Sequence, residues 1–203
     1  MQLRSTLLLA LLAATPPAAA QVPAVSHGWH LGGGADVLWF GHVAVSAAAP
    51  GVAAEVRPAG RPALHLVVGR SAGPWSFSAE VGWAGGHVEA GNDVITIRDL
   101  TADATRYRLA AALGRRLARV GTGVVAVALA PTLDLWTVDG QSRVRGGAEG
   151  RLVLRVPLGP VELEHRIGLG LSGSPIEAAD VGAVSEERRL RTLSVGLGLR
   201  SGF

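Results

Sequence analysis

The sequence has no cysteine, which excludes a disulfide framework, a lipoprotein attachment site and a thiolate metal site. After residue 20 it also lacks any apolar run near the roughly 18 residues that a membrane-spanning helix needs. The longest such run, 124–130, has only the length of a strand. The formal net charge is +3, so nothing indicates a nucleic-acid partner. Yet 48% of the residues are hydrophobic, and these must lie in a core or face lipid.

The first 20 residues have the features of a cleaved secretory signal peptide. Arg4 gives a positively charged start, residues 7–14 form an apolar core, and residues 18–20 are a small-residue cleavage site. The apolar core is too short to span a bilayer. We therefore predict a signal peptide over 1–20 and one exported domain over 21–203.

The exported part alternates between apolar and polar residues in short segments, as strands do when each face meets a different environment. In 75–83, for example, Trp75, Phe77, Val81 and Trp83 alternate with small or polar residues. This pattern predicts an all-β fold, a closed antiparallel up-and-down transmembrane β-barrel of eight strands. The predicted strands cover about 28–39, 61–70, 75–83, 105–114, 125–135, 152–158, 161–171 and the segment ending at Phe203.

The connections between these segments alternate in length. Short connections are predicted at 71–74, 115–121 and 157–160, and longer ones at 40–60, 84–104, 137–147 and 172–188. Bacterial outer-membrane barrels have short periplasmic turns and longer extracellular loops. An even number of strands also returns both termini to the periplasm.

Four tryptophans fall on the predicted outward face near the two ends of strands. Trp29 and Trp39 are ten residues apart, and Trp75 and Trp83 are eight apart. In a tilted strand these spacings correspond to roughly 20–25 Å along the membrane normal. We therefore predict that the four side chains are membrane-interface aromatics on either side of the apolar belt.

The export signal, the eight alternating strands, the alternating connections and the final Phe203 together resemble the small outer-membrane barrels of the OmpA/OmpX type. The resemblance implies localisation in the bacterial outer membrane, with outer-membrane lipid as a partner. It also implies that Leu197, Leu199 and Phe203 form the signal read by the barrel-assembly machinery. Ser201 departs from this signal, because an apolar residue is usual at that place.

If the apolar rows face lipid, the alternate positions face the barrel interior and carry most of the charge. An eight-stranded barrel has just enough interior for side chains, and buried charges persist only when they are paired. We therefore predict an interior plug of arginine–carboxylate pairs, with a gated small pore or a catalytic lumen as alternatives. The predicted lumen charge network is Glu80, Arg106, Arg108, Glu149, Arg151, Arg155, Glu162, Glu164, Arg166 and Arg200.

The remaining motifs predict no catalytic, cofactor or metal site. The six histidines form no HxH or HxxxH pair. Residues 168–173 match the GxGxxG spacing, but a dinucleotide site needs that motif to open a helix within a βαβ unit. Here the glycines alternate with leucines along a strand, and Gly196 and Gly198 repeat the pattern. Small residues on a crowded inner wall explain both.

We interpret the chain as a monomeric outer-membrane barrel without catalytic activity, which serves envelope integrity or surface interaction through its extracellular loops. One alternative is an outer-membrane enzyme acting on lipid, for which His165, at an outward position, is the candidate. Lipid A deacylases carry a His-x-Ser pair, and 165–167 lacks the serine. A second alternative is a soluble periplasmic lipocalin-like carrier, in which the apolar rows would face inward.

Three arginines cluster near a predicted periplasmic turn: Arg115, Arg116 and Arg119. A solvated turn is the simplest interpretation. Contact with anionic lipid headgroups or with the cell wall is the alternative.

Overall fold

A computed structural model of the protein describes residues 28–42, 44–49, 52–91, 96–177, 185–186 and 188–203. The predicted signal peptide over 1–20 lies outside these residues and stays a prediction. Within the described ranges no helix is long and apolar enough to cross a bilayer. The strands are β1 (Gly28–Phe40), β2 (Ala44–Ala49), β3 (Val52–Pro58), β4 (Arg61–Ala72), β5 (Trp75–Gly91), β6 (Thr96–Val120), β7 (Gly123–Val138), β8 (Gln141–Leu158), β9 (Val161–Gly173), β10 (Ser185–Glu186) and β11 (Arg189–Gly202).

Eight of these strands form a closed antiparallel ring. The order around it is β1-β4-β5-β6-β7-β8-β9-β11, and β11 pairs with β1 to complete the circle. A closed ring leaves no strand edge unpaired, which is the condition for a sheet to exist in lipid, where no water is available to satisfy backbone groups. The predicted eight-stranded barrel is confirmed.

The other three strands extend ring strands past short interruptions. β2 continues β1, β3 continues β4, and β10 continues β11. Their pairings repeat those of the ring: β3 pairs with β5 as β4 does, β2 pairs with β3 as β1 pairs with β4, and β10 pairs with β2. Pro58 lies opposite Val88 and Leu64 opposite Trp83, so the β3–β4 side carries one residue more than β5. This is the arrangement of a bulge, which bends a strand without ending its pairing. On one side, therefore, the barrel wall is taller than the eight ring strands alone.

The pairing register fixes the tilt of the strands. A path of directly opposed residues that leaves β1 at Leu38 returns to β1 at Gly28, ten residues lower. A ten-residue stagger over eight strands corresponds to a tilt of about 40°, so each residue rises roughly 2.5 Å along the barrel axis. The opposed residues along this path are Leu38, Ser194, Gly168, Arg151, Ala128, Gly114, Ser76, Ser71 and Gly28.

Three connections predicted as long loops are in large part strand. β2 and β3 occupy much of 40–60, and β5 and β6 occupy much of 84–104. β7 and β8 are joined by Asp139 and Gly140 instead of a loop over 137–147, and both residues have positive φ (48° and 77°), as a type I′ hairpin turn requires. The hydrophobic alternation stops where the lipid stops, whereas the hydrogen-bonded ladder continues into water. The hydrophobic pattern therefore predicted strands that are shorter than those in the structure.

The outer face of the ring is apolar. Leu129 and Leu169, for example, point outward and are 62% and 68% exposed. A continuous apolar surface of this kind around a barrel is the surface that lipid covers. A lipocalin-like carrier would need the same rows to point into the barrel, so that alternative is wrong.

The tryptophans divide between the two faces of the wall. Trp29, Trp39, Trp75 and Trp83 all point outward and are 41–51% exposed. Trp29 and Trp39 are ten residues apart in β1, which corresponds to roughly 25 Å of height, the thickness of the apolar belt of an outer-membrane barrel. The fifth, Trp136, points inward and is 2% exposed. Contact of the outer four with lipid headgroups stays a prediction.

The ring closes between the first and last strands. The backbone N–H of Phe203 donates to the carbonyl of Trp29 at 3.0 Å, and the N–H of Trp29 donates back to Phe203 at 3.2 Å. Leu197 and Leu199 lie opposite Ala35 and Gly33 in the same pairing. These residues form the closing seam of the barrel, and their role as an assembly signal stays a prediction.

The apolar belt predicts how the barrel tolerates charge on its outer face. Leu129→Arg should lower the free energy of unfolding by about 2–4 kcal/mol, because it places a charge near the middle of the hydrocarbon. Val144 is similarly exposed (58%) but lies four residues from the β7–β8 turn. Val144→Arg should therefore cost at most about 1 kcal/mol. Urea unfolding in lipid vesicles measures both, and equal losses would contradict the placement of the belt.

Candidate functional site

The centre of the lumen is held by Arg166 on β9, which contacts carboxylates from two other strands. Its Nε donates to Oδ1 of Asp36 on β1 at 2.6 Å, and its Nη2 contacts the other Asp36 oxygen. Its Nη1 donates to Oε2 of Glu80 on β5 at 2.8 Å. All three side chains are buried. One planar guanidinium therefore bridges β1, β5 and β9 across the barrel.

A second guanidinium extends this cluster along β8. Nη1 and Nη2 of Arg151 donate to the two oxygens of Glu80 at 2.8 and 3.2 Å. Nη2 of Arg151 also donates to Glu149 at 3.2 Å, and the hydroxyl of Ser194 donates to the other Glu149 oxygen at 3.1 Å. Glu80 is thus shared by Arg166 and Arg151. The carboxylates compensate the arginines through several bonds each, which buried charges require.

Two further arginines continue the network toward the extracellular mouth. Arg108 contacts Glu149, and Nη2 of Arg106 donates to Asp134 at 2.7 Å. Asp134 has no solvent-exposed surface. The guanidinium of Arg106 also lies 5.4 Å from the centre of the Trp136 ring, within the range of a cation–π interaction. Arg106 therefore joins the charged region to an apolar one.

The central network is balanced in charge and leaves little space. It comprises four arginines and four carboxylates, and His65 lies beside it, with Nδ1 at 2.8 Å from Nη2 of Arg166. The cavity that these side chains line has a volume of about 20 Å³, room for one water molecule. The members of the central network are Asp36, Glu80, Arg106, Arg108, Asp134, Glu149, Arg151 and Arg166.

Nearer the short turns lies a separate lower group of charges. Nε of Arg155 donates to Glu164 at 2.9 Å, and Nε of Arg200 lies 3.2 Å from Glu162. Nη2 of Arg200 also reaches the hydroxyl of Ser71 at 3.4 Å. The Glu162 side chain is 42% exposed, which places it at the periplasmic opening.

At the opposite end, the lumen is closed by an apolar cap. Phe40 and Trp136 pack edge to face with ring centroids 5.7 Å apart, and Ile176 enters from the segment after β9. That segment is held by side chains of β8, because Arg143 donates to the Pro175 carbonyl at 2.7 Å and Arg145 to the Ser174 carbonyl at 2.6 Å. The cap is formed by Leu38, Phe40, Val56, Ala63, Ala84, Val88, Ala104, Trp136, Val138, Ile176 and Leu190.

The structure places all ten residues of the predicted lumen network on the inner side of the wall, in the central and lower groups just described. Sequence reasoning missed Asp36, His65 and Asp134, which complete the central network. Their positions could have indicated them, since Asp36 alternates with the outward residues of β1 and Asp134 lies between two outward leucines. The cap was also missed, because its residues are apolar side chains on the face expected to be polar.

Glycines on the inner wall make room for two of the carboxylates. A Cβ at Gly196 would collide with Oδ1 of Asp36, and one at Gly168 with Oε1 of Glu149. Only glycine lets these carboxylates approach the wall. Within the 168–173 motif the structure therefore supports a crowded inner wall at Gly168, whereas a Cβ at Gly170 would meet nothing nearer than 3.7 Å.

His165, the candidate residue of the enzyme alternative, lies on the outer wall. It is exposed there, directly opposite Leu154 on β8 and Leu197 on β11. Within the part of the chain that the structure describes, no group of three or more His, Cys, Asp or Glu side chains is placed to hold a metal ion.

The closed ring, the apolar outer belt and the charged lumen together define a small transmembrane β-barrel of the bacterial outer membrane. In fold the chain is similar to Neisserial surface protein A, with a TM-score of 0.59 at 11% identity over 87% of this chain and 97% of that one. It is similar to OprG from Pseudomonas aeruginosa, with a TM-score of 0.58 at 11% identity over 88% and 96% of the two chains.

A third similar fold is the outer-membrane protein AlkL, whose structure was determined in DMPC bilayers. The TM-score is 0.56 at 12% identity, over 94% of this chain and 97% of that one. At identities this low the likeness is one of fold. No protein-family model and no curated protein matches the sequence.

The central network predicts a large cost for removing its bridging arginine. Arg166→Met leaves Asp36 and Glu80 buried without their shared partner, and should lower the free energy of unfolding by about 3–5 kcal/mol. Glu55→Gln weakens only an exposed contact with His42, in which the two side chains are 54% and 47% exposed, and should cost less than about 1 kcal/mol. Denaturant unfolding of the two variants in one detergent provides the comparison. Similar losses would show that the lumen network does not hold the barrel together.

Proposed function

We propose that the protein is a non-conducting, non-enzymatic outer-membrane barrel that acts through its extracellular rim, in surface interaction or in envelope integrity. The observation that carries this proposal is the balanced central network, four arginines and four carboxylates from opposing strands, around a cavity of about 20 Å³. A lumen filled in this way supports the role of a plug. The functional surfaces would then lie outside the lumen.

The energetics of the network support permanent closure. A path past it would have to separate Arg166 from Asp36 or Arg151 from Glu80, and either separation leaves buried charges without partners. Breaking a buried pair costs about 3–5 kcal/mol. The apolar cap above it adds a second closure in series, because an ion would also have to cross a region without polar partners.

The height of the wall supports a role for the rim. Trp83 marks the upper edge of the apolar belt on β5, yet β5 continues to Gly91, eight residues further. This extension rises roughly 20 Å above the belt. A barrel that only spans the membrane would not need this extension. Paired strands beyond the lipid form a rigid base for surface contacts, the arrangement in which loops on a scaffold carry function.

The absence of catalysis in this proposal is supported by the surroundings of His165. A histidine that acts as a general base needs a group to orient it and a substrate atom within hydrogen-bond reach. Leucines flank this side chain on both neighbouring strands. An amphipathic side chain on the lipid face is sufficient to account for it.

Closure predicts the electrical behaviour of the purified protein. In planar lipid bilayers the wild-type barrel should give no stable unitary conductance, because its lumen holds paired charges and an apolar cap. A general porin added to the same bilayer is the positive control. A reproducible wild-type conductance that changes in Glu80→Ala would instead identify the lumen as an ion path and contradict the plug.

The role of the rim predicts the result of trimming one hairpin. Ala44 and Val56 lie opposite each other at the base of the β2–β3 hairpin, so a four-residue turn can replace the residues between them. The trimmed barrel should assemble normally, since the ring strands are untouched. In a deletion strain of the source bacterium, failure of the trimmed gene to restore the wild-type phenotype would support surface interaction. Full restoration would assign the function to the barrel wall and favour envelope integrity.

A further inference from the structure

The lower end of the lumen differs from the centre because its charges do not balance. Four arginines point into it, Arg116 and Arg119 on β6, Arg155 on β8 and Arg200 on β11, against two carboxylates, Glu162 and Glu164 on β9. The central network, by contrast, has four charges of each sign. The periplasmic mouth therefore carries an excess of positive charge.

The pairings show that Arg116 is one of the arginines in excess. Arg155 forms an ion pair with Glu164, and Arg200 forms one with Glu162. The guanidinium of Arg116 makes no hydrogen bond or ion pair with any residue that the structure describes. Its backbone is nevertheless fixed, because its N–H donates to the Pro74 carbonyl at 2.7 Å. Arg116 is thus held in place with its charge uncompensated.

Three of these arginines meet in one pocket at the β4–β5 turn, lined by Arg116, Arg155, Arg200, Glu162 and the hydroxyls of Ser71 and Ser76. Its enclosed part has a volume of about 30 Å³, so an anion of phosphate size would sit at its open side, beside the 42% exposed Glu162. The three guanidinium groups that line the pocket carry like charges, which repel in a partly buried site, and an anion between them would relieve the repulsion.

We propose that this pocket, the periplasmic arginine pocket, binds a phosphate-type oxyanion. Guanidinium groups bind phosphate oxygens through paired, charge-assisted hydrogen bonds, and the two serine hydroxyls add further donors. One such anion lowers the excess positive charge of the lower group. The phosphate belongs either to a free anion in the periplasm or to a phospholipid headgroup of the periplasmic leaflet, which lies at the same height as this mouth. The pocket is independent of whether the lumen conducts.

The first arm of the test uses inorganic phosphate. The full barrel is purified in dodecyl maltoside, which carries no phosphate, and titrated calorimetrically at constant ionic strength with chloride as the reference anion. Wild type should bind one phosphate. Arg116→Gln should weaken binding about tenfold or more, because it removes a charged hydrogen-bond donor. Arg115→Gln is the matched control, since Arg115 is next to Arg116 on β6 but points outward, with its guanidinium 5.3 Å from the centre of the Trp75 ring.

The second arm uses phosphatidylglycerol in mixed micelles and native mass spectrometry. Retention of one lipid by wild type and by Arg115→Gln, but not by Arg116→Gln, would identify a headgroup phosphate as the ligand. Saturable binding in the first arm would identify free phosphate. Circular dichroism and the heat-dependent shift on an unboiled gel show that each variant is folded. Binding in neither arm, or equal binding by folded Arg116→Gln, would overturn the proposal.

Discussion

The structure depends on the neutralisation of charge inside the barrel, whose outer wall faces lipid. Because the outward positions must be apolar, the alternating positions are the place for polar side chains, and these cannot be left without partners. Arg166 shows how the barrel meets this constraint. By binding Asp36 and Glu80 together, it connects strands from opposite parts of the ring. The same bonds fill the lumen, so stability and closure have a common cause.

The interior changes its character where the wall leaves the bilayer. Within the belt the inside is ionic and the outside apolar, whereas at the mouth the inside becomes an apolar cluster around Trp136 and Phe40. Above the lipid the wall faces water, and the ordinary rule of soluble proteins applies again: apolar side chains pack inside. Arg106 lies at this boundary, bonded to Asp134 and stacked over the aromatic rings. The barrel thus combines a membrane segment and a soluble segment in one set of strands.

Sequence reasoning succeeded where a single environment acted on each face. The alternation in 75–83 predicted β5, and the inward parity of Glu80 and Arg151 predicted their location. It failed where two environments meet, since the strands of the rim keep their backbone pairing after the alternation is lost. It could not supply the partners of Arg166, because the choice of Asp36 is set by the ten-residue stagger of the ring. The pairing register between strands that are far apart in the chain cannot be read from a local sequence pattern.

The hydrogen bonds between Trp29 and Phe203 make the first strand of the ring depend on the last. Seven of the eight pairings in the ring join ring strands that follow one another along the chain, but β1 keeps one open side until β11 pairs with it. Contacts of such long sequence separation form late and slowly. An open apolar strand edge also invites pairing with other chains. Before the β1–β11 pairing forms, the unfolded chain therefore has to be prevented from aggregating with other copies of itself in water.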